Sequence, residues 1–131
     1  MTHVASPFLR RVIGVDAAAC LASGLLLAFG RQALADLTGL PTALSQPAGL
    51  FLIAWSLLLA VVASRPTQNR AVVWALIGVN AFWVVESAVL LLMQWVQPTS
   101  LGYTLVIGQA VAVTILAELQ FLGLRRAQRL A

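Results

Sequence analysis

Residues 71–96 read AVVWALIGVNAFWVVESAVLLLMQWV, a run of twenty-six positions bounded by Arg70 on one side and by Gln97 and Pro98 on the other. Its apolar residues follow one another without the strict alternation that a barrel strand requires. As an α-helix rising about 1.5 Å per residue the run is about 39 Å long, enough to cross a hydrocarbon core about 30 Å thick. A helix also satisfies its own backbone groups where no water is present to do so. A chain built around such a stretch is an integral membrane protein.

Three further runs have the same character, at 12–29, 47–63 and 101–124. Composition agrees, with 61% hydrophobic residues, 9% charged residues and a mean hydropathy of +0.96, against about 25% charged in an ordinary soluble domain. The charge that solvates a soluble surface is missing, and the same figures exclude disorder, a disulfide scaffold and a coiled coil. The fold expected is all-α, with four transmembrane helices in an antiparallel bundle forming one domain over residues 1–131. Arg10 and Arg11 before the first run, and Ala33-Leu34-Ala35 before Asp36, have the outline of a secretory leader. The apolar stretch exceeds the 7 to 15 residues of a leader core, so it is read as a retained span.

All eight basic residues are Arg. Arg10 and Arg11 precede the first run, Arg65 and Arg70 lie between the second and third, and Arg125, Arg126 and Arg129 follow the fourth, leaving only Arg31 on the other side. The positive-inside rule then places both termini in the cytoplasm of a cell with a bacterial-type inner membrane. Trp95 and Tyr103 mark the outer interface and Trp74 the inner one. The net charge of +4 and pI of 11.2 therefore point to lipid headgroups rather than nucleic acid.

The connections are short. Residues 65–70 form a polar turn, and Gln97-Pro98-Thr99-Ser100 ends the third helix and offers Thr99 or Ser100 as N-cap for the fourth. Helices joined this tightly are expected to be packed neighbours. The first connection is longer, and Leu34, Leu37 and Leu40 at three-residue spacing predict a short interfacial helix on the outer surface, stopped by Gly39 and Pro41.

Function is sought where polar groups interrupt the spans. Asp16, Glu86 and Glu118 lie inside apolar runs, where an ionised group costs at least about 2.5 to 3.5 kcal/mol. Asp16 and Glu118 fall within reach of terminal arginines and are expected to pair with them. Glu86 has no such cation and is the candidate proton-linked group. Asn80, Trp83 and Glu86, with Ser87 and Gln94 alongside, fan over one side of the third helix and are expected to face protein or a ligand cavity.

On the first helix Asp16, Cys20 and Ser23 share one stripe, and Gly14, Ala18 and Ala22 a second, small-residue stripe suited to close helix approach. The fourth helix carries Gln109 and Gln120 on one side and Thr104, Thr114, Glu118 and Arg125 almost opposite. Two polar sides on one helix point to a homo-oligomer or a partner membrane subunit. The second helix, interrupted only by Trp55 and Ser56, is expected to face lipid.

His3 is the only histidine and Cys20 the only cysteine, so neither a metal site nor nucleophilic catalysis has a ligand set or a base, and nothing specifies a cofactor. The chain is similar in length and helix number to small multidrug transporters, fluoride channels and membrane glutathione-linked enzymes, but it lacks the motif that marks each of them. The function expected is that of a small inner-membrane protein that binds or transports a small ligand, proton-linked through an intramembrane carboxylate. The ligand-binding or proton-linked residues are Glu86, Asn80, Trp83, Glu118, Asp16 and Gln109. The alternative is an accessory or assembly subunit of a larger membrane complex, and an enzyme acting on a lipid or quinone through Asp16 and Glu118 ranks behind both.

Overall fold

The computed structural model describes residues 3–93 and 98–130, the side chains of residues 31 and 128–130 excepted. The described chain runs β1 (His3–Val4), α1 (Pro7–Phe29), α2 (Arg31–Thr38), α3 (Thr42–Ser64), β2 (Gln68–Asn69), α4 (Arg70–Leu92) and α5 (Ser100–Leu130). Four of the five helices, α1, α3, α4 and α5, are long and apolar enough to cross a membrane.

Local chemistry explains where each begins and ends. The Ser6 hydroxyl accepts from Leu9 N–H at 3.1 Å and Pro7 takes the first helical position, so α1 starts five residues before the apolar run does. Gly39, at φ 73°, closes α2 in the left-handed conformation that favours glycine. The next long helix begins at Thr42 rather than at Pro47, and Pro47 sits inside it at the cost of one backbone hydrogen bond. Asn69 caps α4 by accepting from Ala71 N–H at 2.9 Å. Thr99 caps α5, its hydroxyl oxygen accepting from Gly102 N–H at 3.2 Å. No breaker separates residues 125–130 from the apolar run, and α5 continues through the arginines to Leu130. The expected end of the third span at Val96, and with it Gln94 and Trp95, lies outside the described residues.

The closest packing is between α1 and α3 and between α4 and α5. Gly24 and Gly49 allow the first of these: a Cβ on Gly49 would lie 2.5 Å from Ala28 N and 2.8 Å from Gly24 O. The Gly14, Ala18 and Ala22 stripe makes no such contact. Ala18 and Ala22 are exposed, and a Cβ on Gly14 would meet nothing within 4 Å. The cause is helix rotation, because Gly14 and Ala18 each stand about 200° around the helix from Asp16, and the buried Asp16 takes the inward side.

Nor is α3 a lipid-facing helix throughout. Gly49, Leu52, Ser56 and Leu59 form a buried stripe at helical spacing, consistent with its close packing on α1. The short connection between α3 and α4 does not make them the closest pair. They meet through the stacked rings of Phe51 and Trp83, with centroids 6.1 Å apart.

Where α1 starts, α3 ends, α4 starts and α5 ends, the residues Leu9, Ile13, Leu59, Val73, Leu76 and Leu124 form the apolar core. At this same end β1 pairs antiparallel with β2, His3 opposite Asn69 and Val4 opposite Gln68. The buried Gln68 donates to the carbonyls of Val62 and Arg65 at 3.2 and 2.9 Å, satisfying the end of α3. At the other end, the junction of α2 with α5 is tied by Thr99. Its N–H donates to Thr38 O at 2.8 Å and its hydroxyl to Leu37 O at 2.7 Å. Gly102 is required there because the Thr38 carbonyl oxygen occupies the place of a side chain.

Candidate functional site

Asp16 is the buried acidic side chain among the described residues, 2% exposed beside Asn80 at 5% and Gln120 at 0%. Helices α1, α4 and α5 each contribute one member. Gln120 Nε2 donates to Asp16 Oδ2 at 2.7 Å, and Asn80 Nδ2 donates to the same oxygen at 3.1 Å and to Gln120 Oε1 at 3.3 Å. Cys20, one turn along α1, donates its thiol to Asp16 Oδ1 at 3.4 Å. The partners of Asp16 are two amides and a thiol, so the expected pairing with a terminal arginine is replaced by a closed three-helix network. The reason is direction, since Asp16 projects into the bundle and Arg10 and Arg11 are exposed.

Both amides therefore donate to one oxygen of Asp16 and the thiol to the other, so the carboxyl group has no cation among its hydrogen-bond partners.

A second network lies on the α4–α5 seam. Trp83 Nε1 donates to Gln109 Oε1 at 2.8 Å, and Gln109 Nε2 donates to Ser87 Oγ at 3.0 Å and to Val106 O at 2.9 Å. Ser87 Oγ in turn donates to Trp83 O at 2.9 Å. The face of Trp83 is stacked on Phe51 from α3. Thus Asn80, Trp83 and Ser87 face protein as expected, and Gln109 and Gln120 share the inward side of α5.

Glu86 does not join them. It is exposed on the outer surface of α4, because Asn80 and Ser87 take the inward side and Glu86 stands about 100° from Ser87 around the helix. Glu118 is also exposed, together with Thr104 and Arg125 on the same side of α5. Glu118 instead lines a groove of about 500 Å³ between α4 and α5, whose walls include Val84, Leu91, Val106 and Ile115. Ser87 and Thr114 also line it, and both hydroxyls donate to backbone carbonyls of their own helices. Glu118 is thus the one ionisable side chain of this groove. From Val106 to Glu118 the groove follows α5 for about 18 Å.

Gln120 was the member of the three-helix network that sequence reasoning left out of the site. Its spacing from Gln109 was a usable signal: eleven residues return a helix to within about 20° of the same direction, so two amides at that interval share a buried side. No cluster of three or more His, Cys, Asp or Glu side chains suited to a metal occurs among the described residues. Compared with known protein families, curated proteins and solved structures, the chain matches none.

Proposed function

We propose that this is a multi-pass protein of a bacterial-type inner membrane that binds or moves a small ligand in the α4–α5 groove, with proton linkage through its intramembrane carboxyl groups. In this reading the four long helices are an antiparallel bundle, both termini are cytoplasmic and α2 lies on the outer surface. The opposed order of the contacts supports the first point: Arg10 meets Ala63 and Gly24 meets Gly49, while Trp74 meets Phe121 and Ser87 meets Gln109. The distribution of arginine supports the orientation.

The observation that carries the ligand reading is the single carboxyl group, Glu118, in a mostly apolar groove whose two hydroxyls, of Ser87 and Thr114, donate to backbone carbonyls. Apolar walls with one placed polar group are the usual composition of a small-molecule site. Glu118 would contact the ligand directly, and Asp16, through its two amides, takes the proton-linked role that sequence alone assigned to Glu86. The test is native mass spectrometry of gently extracted protein. A discrete small-molecule mass should accompany the wild-type chain and be lost from Glu118→Gln, and its retention in that variant would overturn the assignment. Asp16→Asn should keep the ligand mass but remove the pH dependence of its release.

A second reading, an accessory or assembly subunit, is favoured by Glu86 itself. Its carboxyl lies on the outer surface of a long apolar helix with no hydrogen-bond or ion-pair partner among the described residues, and a second copy or another membrane subunit would relieve that cost. Glu86→Gln should then weaken co-purification with the partner while leaving the ligand mass unchanged.

A further inference from the structure

We infer that the Arg10–Arg11 corner of the molecule is a headgroup site for an anionic phospholipid. The first turns of α1 and the last turn of α3 border an open concavity of about 370 Å³ lined by Pro7, Arg10, Arg11 and Ala63. Arg10 is held in position, its Nε donating to Ala63 O at 3.0 Å. That bond uses one of the five N–H groups of a guanidinium and leaves four for an acceptor. Arg11 makes no hydrogen bond or ion pair with the described residues. A third guanidinium, that of Arg126, stands 5.6 Å from the ring centroid of Phe8, the residue next to Pro7.

The charge around this corner has one sign. None of the four acidic side chains lines it: Asp16 is closed within its amide network, Asp36 lies in α2, and Glu86 and Glu118 lie along the spans. Arg65 and Arg70 flank β2 at the same end. Paired guanidinium groups of this kind match a phosphodiester, whose oxygens accept charge-assisted hydrogen bonds. The site also lies at headgroup depth, since the apolar run starts at Val12, immediately after Arg11. Pro7 and Ala63 offer apolar walls to the glycerol region. A zwitterionic lipid would bring an ammonium group for which the residues lining this corner offer no carboxylate, so a headgroup of net negative charge is selected.

The experiment uses the full chain, delipidated in an uncharged detergent and titrated with phosphatidylglycerol, phosphatidylcholine or inorganic phosphate, with lipid adducts counted by native mass spectrometry. Phosphatidylglycerol should bind at about ten-fold lower concentration than phosphatidylcholine, and Arg11→Gln should weaken it by about ten-fold, the loss of one charge-assisted contact. Because Arg11 makes no hydrogen bond or ion pair with the described residues, the unfolding temperature of the lipid-free variant should not change. Arg10→Gln should weaken binding and also lower stability through loss of the Ala63 contact, whereas Arg65→Gln should do neither. Equal binding of the two lipids, an unaffected Arg11→Gln, or an equal loss in Arg65→Gln would overturn the site. Displacement of phosphatidylglycerol by millimolar inorganic phosphate would show a free-anion site and overturn the lipid assignment.

Discussion

Replacement of Gln120 by Leu probes the three-helix network without opening a large cavity, because the two side chains are similar in volume. Gln120 is completely buried and makes two contacts, a 2.7 Å donation to Asp16 Oδ2 and a 3.3 Å acceptance from Asn80 Nδ2. A hydrogen bond to a charged group contributes about 1.5 to 3 kcal/mol, and a polar contact between membrane helices about 0.6 kcal/mol on average. Together they give an expected loss of about 2 to 4 kcal/mol for Gln120→Leu. Asp16 keeps Asn80 and Cys20, so the variant should still fold. The assay is reversible unfolding in mixed micelles, followed by the near-ultraviolet signal of the tryptophans. Asn80 and Gln120 share one oxygen of Asp16, so Asn80→Ala and Gln120→Leu should be non-additive by at least about 0.5 kcal/mol. Replacing Asp16, Asn80 and Gln120 together by Leu removes donors and acceptors at once and should cost much less than the three single changes combined. A loss below about 0.5 kcal/mol in Gln120→Leu, or a triple variant as unstable as that combination, would refute the reasoning.

Two further outcomes test the packing. Gly49→Ala should destabilise by about 1 to 3 kcal/mol, the usual cost of overpacking, because its Cβ would meet the backbone of Ala28 and Gly24, while Gly78→Ala, with nothing within 4 Å, should be neutral or better. The same unfolding assay separates them, and equal effects would remove Gly49 from the α1–α3 contact. Gly39→Ala forces a side chain into φ 73° and should cost about 1 kcal/mol. Faster hydrogen exchange confined to the α2–α5 junction, at Thr99 N–H, is the local signature.

The span centres, the short helix in the first connection and the Thr99 cap were all legible in the chain, because each depends on residues close together in sequence. The ends were less legible where two local rules competed. Pro47 resembles a first-turn residue and instead sits inside α3, and the arginines at 125 and 126 resemble a tail and instead extend α5. Of the candidate site residues, Asp16, Asn80, Trp83 and Gln109 were recognisable as polar groups that needed partners, and they have them. Which partners they take was not recognisable: Asp16 meets Asn80, sixty-four residues away, and Gln120, one hundred and four residues away. Glu86, the carboxyl group singled out as proton-linked, faces outward, as does Glu118, which was expected to pair with a terminal arginine.

Hydropathy and capping residues were enough to determine that this chain has four helices long and apolar enough to cross a membrane and where their centres fall, since these follow from apolar length and from local hydrogen bonds. The rotation of each helix about its own axis was decided only by the tertiary structure. In water an apolar stripe reports the inward face. In a bilayer the lipid is as apolar as leucine, so Leu and Val carry no such report, and the inward face is chosen by the few groups that must find partners. Here those are Asp16, Asn80 and Gln120, with Gly24 and Gly49 setting how closely the backbones approach.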